Sequence, residues 1–237
     1  MRSSALLYHK IDLPTPDVKI RGAFTAPRQF EKQISYLKRH SYNFYTASEL
    51  VSHYSNYGSF PEKAIAITFD DGWKDNYINA FPILKKFSVK ATIFLIPSVI
   101  GTTTDRVTAE GEGPREHLSK ENILEMSDHG IEFGSHSMNH RLFKDISEKE
   151  IVDEVVGSKS FIEDLLQKPC DTLAYPAGFH TEFAREAIKK AGYIGAFTTI
   201  YGNDSEPDIY ALNRVEILRR DKRPFHFSRK IRSIFSK

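Results

Sequence analysis

A distorted (β/α)7-type barrel in a single α/β domain is the fold this sequence predicts, on three observations. Short β-rich runs alternate with segments of helical period. About seven such runs are separated by helices or long crossovers, which only parallel neighbours require. The chain has 237 residues, a length at which one α/β barrel is common, with an open doubly wound sheet as the rival.

Taken in order, Ala5-Leu6-Leu7-Tyr8 reads as the first strand. Pro27 suits a first helical turn, and Phe30, Ile34 and Leu37 follow at helical spacing, so 27–40 is an amphipathic helix. Ala64–Phe69 is an almost unbroken apolar run, as expected of a strand covered on both faces. A helix over 75–87 and a second buried strand, Ala91–Ile96, come next. Ser119 caps a helix over Lys120–His129, which Gly130 stops. The strand Ile131–Gly134, a long helix over 147–167 and the strand Thr172–Tyr175 follow. A helix over 181–191 ends at Gly192, and strands near 193–199 and 211–217 complete the pattern. The longest polar loop, 101–118, is expected to be a lid, a binding loop or disordered.

Composition narrows the chemistry. Hydrophobic content of 40% with a net charge of +2 is not that of a disordered polyelectrolyte. Cys170 is the sole cysteine, which excludes an internal disulfide and any multi-thiolate metal site. Metal chemistry must therefore use His and carboxylate. No apolar run approaches the roughly 18 residues of a membrane span, and Lys10 and Asp12 interrupt the start too early for a secretory signal. As written, the chain is expected to be cytoplasmic or on the inner face of a membrane. Charge is uneven: residues 219–237 carry +7 and the remainder −5, so nucleic acid is not the expected partner. The expected division is a barrel over 1–218 and a basic amphipathic tail over 219–237. Phe225, Phe227, Ile231, Ile234 and Phe235 interleave with the basic residues there, giving either a helix lying on anionic lipid or a solvated, partly disordered end.

Two motifs carry the chemistry. In Thr68-Phe69-Asp70-Asp71-Gly72-Trp73 a buried strand runs straight into two carboxylates. Asp-Gly is ordinary turn chemistry, yet the C-terminal ends of parallel strands converge on the ligand crevice. Adjacent carboxylates ionise together only at a cost, which is relieved if one binds a metal and the other acts as a base. In Ile131–His140 another strand leads into His136-Ser137-Met138-Asn139-His140. Histidines four apart converge on one ion if the backbone turns helically between them. Two His and one Asp leave positions open for water and substrate, as a catalytic metal needs. His9 ends the first strand and so reaches the same rim, where a histidine can protonate a leaving amine.

These residues resemble the polysaccharide deacetylases of the NodB-homology type, carbohydrate esterase family 4, over roughly residues 5–217. The resemblance implies that Asp70 is the general base, and that Asp71, His136 and His140 hold the metal. Leu7-Tyr8-His9 is similar to the N-terminal motif of the subgroup that includes biofilm poly-N-acetylglucosamine deacetylases, and implies that His9 is the general acid. The third motif departs from the family: Ala174-Tyr175-Pro176-Ala177-Gly178 has Ala174 in place of the arginine and Ala177 in place of the tyrosine. The Ala177 N–H can still donate to an oxyanion, and Arg214 can supply the missing cation. Trp73 and Tyr175, with Phe179, are placed where aromatic rings can meet sugar faces.

The activity implied is hydrolysis of an N-acetyl or similar small acyl group on an amino sugar of a polysaccharide, oligosaccharide or glycolipid. The cofactor implied is a divalent metal, zinc first, with Co2+, Ni2+, Mn2+ or Fe2+ as alternatives. Two rivals stand beside it: a two-His-one-carboxylate Fe(II) oxygenase and a catalytically inactive glycan-binding relative. Partners are a carbohydrate substrate and, through 219–237, a peripheral membrane contact; nothing in the sequence sets the oligomeric state.

Overall fold

The chain folds as a barrel in the computed structural model, which describes residues 5–235 apart from 17, 20, 105–112 and 203–206. In chain order the elements are β1 (Ala5–Tyr8), α1 (Pro27–Arg39), β2 (Asn43–Tyr45), α2 (Ala47–Tyr57), β3 (Ala64–Phe69), α3 (Phe81–Phe87) and β4 (Thr92–Leu95). They continue with β5 (Thr103–Thr104), β6 (Arg115–Glu116), α4 (Lys120–Asp128), β7 (Glu132–Ser135), α5 (Glu148–Leu166), β8 (Thr172–Ala174), α6 (Glu182–Lys190), β9 (Gly195–Tyr201), β10 (Leu212–Glu216) and α7 (Pro224–Phe235). Strands β1, β10, β9, β8, β7, β4 and β3 run parallel in that order, and a β1–β3 pairing closes the ring. Closure decides for the barrel over the open sheet, and β2 joins only the first half of β3, from Ala64 to Ala66.

Side-chain alternation then sorts each strand into an inside and an outside. On β3, Ile65, Ile67 and Phe69 join the layer under the helices, whereas Ala64 and Ala66 belong to the inner cluster with Phe94, Phe197 and Leu212. The inner strand residues at Ala5, Ala64, Ala66 and Ala174 are small because two phenylalanines, Phe94 and Phe197, fill the lumen with ring centroids 5.8 Å apart. Continuing the same alternation past the end of β3 brings Asp70 to the inner side of the rim. Gly134 on β7 is required by this packing: a Cβ there would lie 2.6 Å from the Phe94 ring.

Two elements went unread in the sequence, β2 and α2. Helix α2 buries only Ala47, Leu50 and Val51, a stripe too sparse for periodicity to reveal. Its signal was Thr46-x-x-Glu49, which forms a reciprocal capping box, with Gly58 left-handed at the end. The polar loop 101–118 is also more ordered than expected: β5 and β6 pair antiparallel, and Trp73 bridges to His117. Residues 105–112 of that loop lie outside the described residues.

The basic tail differs from both readings of it. Residues 224–235 form α7, and Phe227, Ile231 and Ile234 are buried. Tyr36 of α1 meets Phe227 edge-on at 5.9 Å, and Tyr42 meets Phe235 at 5.2 Å. Burying such side chains contributes about 1.5–3 kcal/mol each, which solvent could not match. The apolar stripe is therefore occupied by the barrel, and only Phe225 stands well exposed, at 65%. Among the described residues no helix is long and apolar enough to cross a membrane.

Candidate active site

The site forms where four strand ends meet. Asp70 and Asp71 follow β3, His136 and His140 follow β7, His9 follows β1, and Arg214 reaches in from within β10. Asp71 Oδ1 lies 3.5 Å from His140 Nε2 and 3.7 Å from His136 Nε2. One donor atom from each of Asp71, His136 and His140 falls within 4.8 Å of the others. That span and the set of two imidazole nitrogens and one carboxylate oxygen fit a single divalent cation with bonds of about 2.0–2.2 Å. His136 Nδ1 is 2.7 Å from the Ala174 carbonyl, so it carries the proton and leaves Nε2 free as a ligand atom.

The turn between the two histidines is not the helical one expected. Ser137 and His140 are both left-handed, with φ of 61° and 58°, and these two reversals swing His140 back over the strand end. Asp71 and Ala177 share that conformation, so four of the eight described non-glycine residues with positive φ stand at this rim. Such backbone is sparsely populated and persists only where surroundings impose it. Here they do: Ser135 Oγ accepts from the Ser137 amide, Ser137 Oγ accepts from the His140 amide, and Glu154 accepts twice from Asn139 at 2.8 Å. Glu154 sits buried on α5 and was not legible as part of the site.

Asp70 lies in a different environment from its neighbour. Its side chain is 2% exposed, and Arg214, fully buried, donates to both oxygens at 2.7 Å. Arg214 also donates through Nε to the Thr198 carbonyl at 2.8 Å, and its guanidinium lies 5.6 Å from the Phe94 ring centre. The β9–β10 register is irregular between Leu212 and Arg214. Burial alone would raise the Asp70 carboxyl, but Arg214, then His136 and His9, outweigh it and hold the group below the ordinary aspartate value.

Of the remaining expected residues, His9 lies near enough for its charge to act on Asp70, and its Nδ1 is buried with no hydrogen-bond partner. Ala177 is exposed in the turn after β8, with φ of 51°. Two assignments are corrected. Trp73 is 1% exposed and cannot offer a sugar its face; its Nε1–H donates to Asp71 Oδ2 at 3.1 Å instead. His117 stacks on that indole at 4.2 Å and holds the Asp71 carbonyl at 3.0 Å through Nδ1. Tyr175 is likewise fully buried, and its hydroxyl donates to the Tyr210 carbonyl at 2.8 Å. Phe179, 48% exposed, is the aromatic ring left on the surface there.

Fold and site together define an α/β barrel whose C-terminal strand rim gathers Asp71, His136 and His140 in a geometry that could hold a cation, beside a buried carboxylate paired with an arginine. Residues 57–196 match the family model described as polysaccharide deacetylase. The chain is 32% identical over 191 residues to the YxkH protein of Bacillus subtilis (strain 168), covering 80% of this chain and 64% of that one. It is 33% identical over 183 residues to the poly-beta-1,6-N-acetyl-D-glucosamine N-deacetylase of Staphylococcus aureus (strain MSSA476), covering 73% and 60%. Among solved structures it resembles the Streptococcus pyogenes deacetylase PplD in complex with acetate, with a TM-score of 0.83, 26% identity and 98% of each chain covered. The BC0361 polysaccharide deacetylase of Bacillus cereus superposes with a TM-score of 0.79 at 29% identity, over 98% of this chain and 69% of that one. This chain belongs to the polysaccharide deacetylase family. It spans roughly three fifths of the length of the curated relatives it matches.

Proposed function

We propose that this chain removes N-acetyl groups from amino sugars of a glycan, with poly-N-acetylglucosamine as the nearest substrate class. The observation that carries the reading is one rim holding both a three-donor cation site and a separate carboxylate kept ionised by a bidentate arginine. A binding module has no use for the second feature, and an Fe(II) oxygenase needs no spare base. The relative from Staphylococcus aureus acts on such a polymer, and the Streptococcus pyogenes structure holds acetate, the acid that deacetylation releases.

Asp71, His136 and His140 would hold the metal, with zinc favoured by two imidazoles and a carboxylate. When bound, a divalent ion polarises the acyl carbonyl and lowers the pKa of a water from 15.7 to about 7. Asp70 takes the proton of the attacking water on Oδ2, the oxygen 3.9 Å from His136 Nε2. Arg214 keeps that carboxylate aimed and charged, doing for this chain what the third-motif arginine does in the family. His9 gives a proton to the departing amine, without which the C–N bond would expel a strongly basic anion. The Ala177 amide is the backbone donor for the developing oxyanion, a contact whose loss costs about 2.7–4 kcal/mol. Any contact of 219–235 with an anionic membrane is left to basic side chains and Phe225, since Phe227, Ile231 and Ile234 are buried.

The test is acetate release by the zinc-loaded chain from chitooligosaccharides and poly-β-1,6-N-acetylglucosamine, compared with Asp70→Asn. Acetate from the wild type and little from Asp70→Asn, at equal zinc content, supports the reading; equal rates in the two would end it.

A further inference from the structure

At the edge of the same rim, Arg21, Arg219, Arg220, Lys222, Arg223 and His226 line a cavity of about 460 Å³. Five of these side chains are permanently charged, and no carboxylate lines the cavity among the described residues. The one acid of the segment, Asp221, is buried and committed to the Leu218 amide at 2.9 Å and to Lys230 at 2.5 Å. Arg21 is held in place by donating to the carbonyls of Val18 and Pro16. Arg219 Nη1 is buried with no hydrogen-bond partner.

Crowding five cations and burying an unpaired guanidinium nitrogen are both unfavourable. An anion with several oxygens, seated in the cavity, relieves the crowding of charge. A carboxylate fills a single guanidinium fork, whereas a phosphate presents oxygens to several donors at once. Position says what carries it. Arg219 follows Arg214 by five residues, at most about 18 Å of extended chain. Its amide donates to the Gly22 carbonyl, which ties the segment to the loop after β1. A second, smaller cavity shares Arg219 and Lys222 and extends the basic rim toward Asp12 and Phe24. Lys10 lies 4.9 Å from the rings of both Phe24 and Trp73, so this path runs back to the support of Asp71.

We propose that this cavity is a subsite for a phosphate group borne by the glycan, so that the preferred substrate is a phosphorylated or phosphodiester-linked amino sugar. The proposal rests on the deacetylase reading for the identity of the glycan. A membrane surface is the weaker fit: Phe227, Ile231 and Ile234 of α7, which would enter lipid, are buried, which leaves Phe225 as the one well-exposed apolar side chain among the described residues of that helix.

Arg220 and Arg223 are exposed and can be changed without opening the core. Binding of chitotetraose and of chitotetraose bearing a terminal phosphate is measured on the full zinc-loaded chain with Asp70→Asn, so that neither ligand is hydrolysed. At fixed ionic strength the phosphorylated sugar should bind about tenfold tighter, and Arg220→Gln with Arg223→Gln should reduce that preference below about twofold. Inorganic phosphate, but not chloride at the same ionic strength, should compete for the preference. Equal affinity for the two sugars, or a preference that survives the double change, would overturn the proposal. So would a double variant that loses phosphatidylglycerol vesicles while keeping its sugar preference, since the cavity would then serve a membrane. Acetate release by the wild-type chain separates the two readings: a phosphate preference without it would support the subsite and sink the deacetylase activity.

Discussion

Asp70 and Asp71 are adjacent in the chain and stand against opposite walls of the site. The Arg214 wall is dry and charged: a 2%-exposed carboxylate meets a fully buried guanidinium through two 2.7 Å bonds. The Trp73 wall is wetter and held by weaker contacts. Asp71 is 15% exposed, accepts one indole N–H, and faces His140 at 20% exposure. On the proposed deacetylase reading, the difference follows the chemistry each carboxylate would do. A base must be charged and aimed but never captured by the cation, so its lone pairs are partly occupied by Arg214. A ligand must exchange water for metal, so it needs a supported but open oxygen. Two like groups side by side thus acquire different environments, and on this reading different roles, from their surroundings alone.

The comparison can be broken from either wall, and the largest effect belongs to the cation site. His136→Ala should lose both bound zinc and activity, as read by metal content and acetate release; zinc retained at full stoichiometry would remove His136 from the site. Asp70→Asn should keep zinc and lose turnover by about 10²–10⁴, the usual range for a positioned base. On the same wall, Arg214→Met leaves Asp70 buried and unpaired, a change that costs about 3–5 kcal/mol of folding stability. Denaturant melts should show that loss, and Arg214→Met in the Asp70→Asn chain should be milder, because no buried charge is then stranded. His9→Ala should keep zinc and lower kcat by about 10²-fold or more; an unchanged rate would return His9 to packing. Smaller still, Trp73→Phe removes one hydrogen bond to Asp71 and should weaken zinc affinity about 10–100-fold, with little change in fold.

The smallest effect concerns a third carboxylate, Asp75. Asp75 is buried, accepts from the Ile11 amide at 2.7 Å and from Arg115 at 3.0 Å, and its desolvation pushes the carboxyl up to about 6. A carboxyl raised on folding binds its proton more tightly in the native state. Its contribution is therefore most favourable at low pH and declines as pH rises from about 4, the unfolded value, to about 6. Melting temperatures of the wild type and Asp75→Asn should diverge across that window, with the wild type losing ground; parallel curves would place the Asp75 pKa near its ordinary value.

Legibility tracked sequence distance. Asp70, Asp71, His136 and His140 could be read because each pair sits within five residues at the end of an apolar run. The fold class was legible for the same reason, since Ala64–Phe69 and its counterparts announce buried parallel strands. Arg214 lies 144 residues from Asp70, and only the gap in the third motif directed attention to it. Trp73 and Tyr175 were misread because a sequence shows proximity to a motif but not depth. Glu154 gave no signal, being one carboxylate on a helix rich in them.

What the chain alone determined is local: which runs form strands and helices, and which strand ends carry donors for a cation. Those follow from backbone periodicity and residue chemistry within a few positions. The closing of β1 on β3, the burial of Arg214 against Asp70, and the packing of α7 with its basic rim were decided by tertiary structure. Each depends on which side chains exclude water together, and that is a property of the assembled barrel rather than of any segment of it.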